Sequence, residues 1–135
     1  MILRKKFLGI FLLLSIHSIW AKPTCESYGV DGVVLKGKLV GRNFFGPPNY
    51  GENPETDAKE SQIFLKLDSL LCTNASNEDQ AEKNQHQVTL VPIERLALDS
   101  LVGKHVAVKG RLFHAYNGHH RTEVLIAIKT APTIE

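Results

Sequence analysis

Val33-Val34-Leu35-Lys36-Gly37-Lys38-Leu39-Val40 and Val106-Ala107-Val108-Lys109-Gly110-Arg111-Leu112-Phe113 are two octets of one design, each a β-rich run with glycine at its fifth position. Glycine inside a strand weakens pairing. It belongs where the strand must bulge or bend sharply, or where a second backbone comes close. Occurring once early and once late in the chain, the pattern predicts two strands that bend at their glycines to close a small barrel.

The rest of the chain fills in around them. Strand patterns cover residues 31–45, 63–72, 87–93, 105–115 and 122–130, with Ile63-Phe64-Leu65-Lys66-Leu67 at the heart of the second. Between the third and fourth, Ile93, Leu96, Ala97 and Leu101 recur at helical spacing and Gly103 supplies a stop, which predicts a short helix over 94–102. Residues 74–85 are polar and predict a loop. Five strands with one helix between the third and fourth is the order of the OB-fold, a Greek-key barrel. The expected architecture is mainly β, a five-stranded OB-like barrel.

The first 21 residues read differently. Arg4, Lys5 and Lys6 precede an apolar run from Phe7 to Leu14, and small Ala21 follows Ile19-Trp20. This is the pattern of a secretory signal peptide, too short for a membrane span. The expectation is cleavage after Ala21, a single domain over 22–135, and a periplasmic or secreted protein with no membrane insertion. Three of the 16 Lys+Arg lie in the leader, leaving thirteen basic against fourteen acidic residues. That balance gives no nucleic-acid footprint. Cys25 and Cys72 are the two cysteines of the chain. In an oxidising compartment they read as one disulfide, contributing on the order of 3–4 kcal/mol by restricting the unfolded chain.

Two stretches could carry function. Phe44-Phe45-Gly46-Pro47-Pro48-Asn49-Tyr50 is a stiff, aromatic turn, and Phe45, Pro47, Pro48, Asn49 and Tyr50 are candidate partner-binding residues. Phe113-His114-Ala115-Tyr116-Asn117-Gly118-His119-His120 concentrates three histidines, with His114, Tyr116, His119 and His120 as further candidates. A three-residue turn over Tyr116-Asn117-Gly118 puts Val106, Val108, Leu112, Val124, Ile126 and Ile128 on one face. It also sets His114 directly opposite His120. That pair could chelate a divalent metal with a third ligand from the long acidic loop, for which Glu55 is the choice, while Asp57 and Tyr50 are alternatives. The plainer expectation is a polar cluster capping the barrel, with no cofactor. No nucleophile elbow, phosphate-binding glycine loop or H-E-x-x-H motif occurs.

Cys25, the Val33–Leu39 pattern, Gly46-Pro47-Pro48-Asn49-Tyr50, Cys72 and Phe113-His114-Ala115-x-x-Gly118-His119-His120 together resemble a family of small exported bacterial proteins known only as a domain of unknown function. The resemblance implies an envelope setting and a Cys25–Cys72 pair, and brings no activity. Arg121 stands where a third histidine often follows in that family. The function expected from the sequence is a non-enzymatic binding module that presents residues 46–50 and 114–120 to a protein or small-molecule partner. An inhibitor or immunity-type protein is one form of it. The alternative is a metal-binding protein or metal-dependent hydrolase using His114 and His120.

Overall fold

The computed structural model describes residues 15–18 and 24–135, so all but four residues of the expected leader lie outside the described residues. Six strands follow in chain order: β1 (Val33–Phe45), β2 (Lys59–Thr73), β3 (Glu82–Pro92), β4 (His105–His114), β5 (Val124–Ile128) and β6 (Thr133–Ile134). Strands run β1-β2-β3-β5-β4, and β1 pairs again with β4, which closes the ring. The β3–β5 pair is parallel and the other four pairs of the ring are antiparallel. This is the five-stranded closed barrel of an OB-like fold. β6 adds a short edge to β4 at Val106 and Ala107. No helix among the described residues is long and apolar enough to cross a membrane.

The two glycines sit where the ring changes partners. Gly37 is paired on one side with Leu67 of β2 and on the other with Val106 of β4. Gly110 ends the β4 pairing with β1, and the next residue, Arg111, opens its pairing with β5. A methyl group built on Gly37 would overlap the carbonyl oxygen of Lys66, and one on Gly110 would overlap that of Ala127. Only glycine lets these backbones approach so closely.

Inward residues then follow from alternation along each strand. Leu39, Leu65, Val88, Val106, Leu112, Val124, Ile126 and Ile128 are all fully buried in one core. A second row lies on the outer side of the barrel wall, in the register Phe64, Thr89, Leu125, Phe113 across β2, β3, β5 and β4. Phe64, Thr89 and Leu125 are also buried, so something must cover that wall.

Between β3 and β4 the expected helix over 94–102 is reduced to a single 3-10 turn, Asp99–Leu101. Leu98 is buried, and Leu96 and Leu101 pack against the core, while Ile93 and Ala97 are exposed. Leu96 and Leu98 both point into the barrel. Residues two apart share a side in extended backbone but diverge on an α-helix. The expected loop 74–85 is likewise shorter, because β3 already begins at Glu82.

Cys25 and Cys72 form a disulfide, as expected. Around it Glu26 N–H donates to Cys72 O at 2.9 Å and Asn74 N–H donates to Glu26 O at 2.9 Å, stitching the segment before β1 to the end of β2. Gly110→Ala should destabilise the domain by on the order of 1–3 kcal/mol, the usual cost of overpacking. Gly41→Ala, whose added methyl would meet only Val102 side-chain carbons at 3.9 Å, should leave the urea midpoint nearly unchanged.

Candidate functional site

The β1–β2 connection, residues 46–58, folds around one buried carboxylate. Asp57 is 6% exposed. Its oxygens accept the backbone N–H groups of Asn49 (2.9 Å), Gly51 (2.8 Å) and Asn53 (3.1 Å). Burial opposes its charge, but these three donors prevail and hold its pKa below the ordinary aspartate value. The loop base is closed by Gly46 N–H donating to Ala58 O at 2.6 Å and by Ala58 N–H donating to Pro47 O at 2.9 Å. Within it the Pro47–Pro48 peptide is cis, and Tyr50 occupies a left-handed conformation (φ 51°). That conformation is uncommon for a bulky residue. Tyr50 N–H donates to Gly46 O at 3.0 Å, which helps hold the residue there. The sequence offers Asp57 as an alternative metal ligand; in the structure its carboxylate serves the loop's own backbone.

The β4–β5 connection is longer than the expected three-residue turn. β4 and β5 pair Leu112 with Ile126 and His114 with Val124, so the core parity is as expected but His114 does not face His120. The partner of His114 lies four positions later in the chain, at Val124 rather than His120, because residues 115–123 fold back as a loop over the outer wall. Ala115 N–H donates to Glu123 O at 2.9 Å across its base. Inside, Asn117 Oδ1 accepts His119 N–H at 2.9 Å, and His120 Nδ1 accepts Tyr116 N–H at 3.1 Å. This fixes the proton of neutral His120 on Nε2. Burial, and then the nearby His119, push its pKa down. Its ring stands edge-on between Tyr116 (4.4 Å between centroids, 90°) and Phe113 (5.5 Å). His120 braces the loop.

The two loops meet. Tyr50 and His119 pack edge-to-face with centroids 6.3 Å apart, and a methyl on Gly118 would lie 3.2 Å from the Tyr50 hydroxyl. Arg121 spans both: Nη2 donates to Phe45 O at 2.9 Å, and the guanidinium lies 4.5 Å from the Phe44 ring centroid and 5.9 Å from that of Tyr50. Glu60 Oε1 lies 2.6 Å from His119 Nδ1, and Glu60 Oε2 lies 3.9 Å from Arg121 Nη2. Gln62 Nε2 donates to His119 O at 2.6 Å. Three buried atoms of this cluster, Glu60 Oε2, Gln62 Oε1 and Arg121 Nε, have no hydrogen-bond partner among the described residues. Beside it a cleft of ≈ 330 Å³ is bordered by Gln62, Val91, His119, His120 and Leu125. Phe45 at the end of β1, and Pro47, Pro48, Tyr50, Tyr116 and His119 on the loops, are exposed. The sequence does not single out Glu60 and Gln62, and it marks Arg121 only as a departure from the pattern of the family it resembles. The even-numbered outward parity of Glu60 and Gln62, shared with Phe64, is the signal that places them on the outer wall.

His114 stands apart from this cluster. Its Nε2 is 2.9 Å from Glu82 Oε1 and 3.7 Å from Glu123 Oε2, and its Nδ1 donates to Ala115 O at 3.0 Å. A carbonyl and a carboxylate both require donors, so the ring is satisfied as imidazolium. The Glu82 bond, opposed by burial and helped by the Ala115 bond and the two carboxylate charges, raises its pKa. The pKa of Glu82 is lowered, first by His114 and then by Gln80. The trio His114, His120, Glu55 is thus not gathered. Among the described residues the set whose ligand atoms lie within 4.8 Å of one another is Glu82, His114 and Glu123. Glu55 is an exposed residue of the first loop.

Against protein-family models, residues 85–134 match a domain of unknown function (DUF4431). The match runs from within β3 to β6 and takes in the second loop, leaving residues 46–58 outside, a narrower span than the sequence resemblance suggested. No curated protein and no solved structure matches the chain.

Asp57→Ala should open residues 46–58 to limited proteolysis while the barrel stays resistant. The Asp57 contribution is present above the ordinary aspartate range and lost only as pH falls through its lowered value. For the His114–Glu82 pair, stabilisation by His114 is full below its ordinary 6.5 and lost as pH rises through its raised value. Stabilisation by Glu82 is full above its ordinary 4.5 and lost as pH falls through its lowered value. Glu82→Gln should therefore reduce the urea midpoint most at about pH 5.5, with a smaller deficit at about pH 9 in the presence of chelator.

Proposed function

We propose that this chain is an exported, non-enzymatic binding module of the bacterial cell envelope. Its partner docks on the joint surface of residues 46–50 and 116–120. One observation carries the reading: Arg121, Glu60 and the Tyr50–His119 contact knit two connections, far apart in sequence, into one face that displays Tyr50 and Tyr116 at 47% and 78% exposure. Exposed aromatic side chains on a preorganised backbone supply contact area at low entropic cost. The left-handed Tyr50 agrees, since strained residues cluster at ligand clamps. The β1–β2 and β4–β5 connections are also the ones that OB-folds use for ligands.

The charge balance of the expected mature chain favours a protein or small-molecule partner over nucleic acid. An inhibitor or immunity-type protein, held to its target with fixed stoichiometry, is the form this face suits best. The export assignment rests on Arg4-Lys5-Lys6, the apolar run after them and Ala21.

Native mass spectrometry of the chain recovered from its own cell envelope tests the proposal. The expected result is a stoichiometric partner, lost when Tyr50 and Tyr116 are both changed to alanine, with affinity for the isolated partner falling about thirty-fold or more. A partner retained undiminished by that double variant, or a chain recovered alone, contradicts it.

A further inference from the structure

Glu82, His114 and Glu123 share no side chain with the proposed docking face, and they arrive from three places in the fold. Glu82 opens β3, His114 ends β4, and Glu123 immediately precedes β5. His114 is oriented as metal-bound histidines usually are, with Nδ1–H held by a backbone carbonyl and Nε2 aimed at the other ligands. Glu82 is positioned as well: Gln80 Nε2 donates to its carboxylate at 3.0 Å, and its backbone N–H donates to Thr73 Oγ1 at 3.1 Å. Tyr28 closes one side, its ring edge-on to His114 at 6.0 Å and its hydroxyl 2.8 Å from Thr73 Oγ1. The side chains of His114 and Glu82 are 13% and 14% exposed, whereas that of Glu123 is 61% exposed and leaves a way in.

From these positions we infer that Glu82, His114 and Glu123 form a binding site for one divalent transition-metal ion of the zinc class. Donors bound at about 2.0–2.1 Å on tetrahedral directions lie roughly 3.3 Å apart. The observed 2.9 Å and 3.7 Å from His114 Nε2 to the two carboxylates bracket that spacing. The ion displaces the Nε2 proton of His114 to solvent; two carboxylates and the resulting neutral imidazole balance a dication, and three protein ligands leave a fourth position open. An imidazole among the donors favours a first-row transition ion over magnesium or calcium, which take oxygen. An ion pair alone would account for Glu82 but gives Glu123, 3.7 Å from Nε2, no hydrogen bond to make with it.

Zinc chloride titrated calorimetrically into the oxidised, chelator-stripped chain near neutral pH tests the site, with native mass spectrometry to count bound ions. The inference predicts one zinc per chain at micromolar affinity or tighter. Glu123→Gln, at a largely exposed position and so neutral for folding, should weaken it about 10–100-fold. His114→Ala should abolish it, whereas His105→Ala, an exposed histidine at the opposite end of β4, should leave it intact. Absence of uptake by the wild-type chain overturns the inference. So does uptake that survives Glu123→Gln undiminished or is lost with His105→Ala.

Discussion

Everything in this molecule depends on two places where backbone meets backbone with no room for a side chain. At Gly37 and Gly110 the two longest-range strands of the ring pass from one neighbour to the next, against the carbonyls of Lys66 and Ala127. Without that approach β1 could not pair with both β2 and β4, and the sheet would stay open. Closure fixes the inner face as one aliphatic core. It also sets the outer row of Phe64, Thr89 and Leu125, which water would reach if nothing lay over it.

The loops answer that outer row. Residues 115–123 fold back on it, with Thr122 Oγ1 within 2.8 Å of Thr89 Oγ1 and His120 against Phe113. Residues 46–58 then lean on residues 115–123 through Arg121 and Tyr50. The polar groups in this joint are more numerous than its internal partners, as the three buried unpaired atoms of Glu60, Gln62 and Arg121 record. Such groups are costly inside a protein. Their concentration here sets this face apart from the aliphatic interior.

The fold was legible because it is written in local signals: strand alternation, the repeated glycine octet and the strand order. The inward parity of β4 and β5 followed from keeping six aliphatic residues together. The helix did not survive, because Leu96 and Leu98, two residues apart, both serve the core, a spacing that one face of an α-helix does not give and that periodicity counting at 93, 96, 97 and 101 does not weigh. The site was half legible. Its two segments were evident from unusual composition, and the structure joins them. The partners of each histidine were not, since they depend on where β5 stops pairing and on side chains such as Glu82, Glu60 and Arg121 that look like ordinary surface charges in sequence. A four-position difference in register moved His114 away from His120 and toward two glutamates.

The central claim is that the two loops form one mechanical unit, because that is what turns separate turns into a face. Arg121 is the side chain that joins them, so amide hydrogen exchange by NMR on wild-type and Arg121→Gln protein is the most direct measurement. Joint loss of protection at Gly51 and Asn53 in one loop and at His119 and His120 in the other, with the barrel amides unchanged, is the predicted result. Protection that falls only in residues 115–123, with Gly51 and Asn53 as slow as in wild type, would contradict the account.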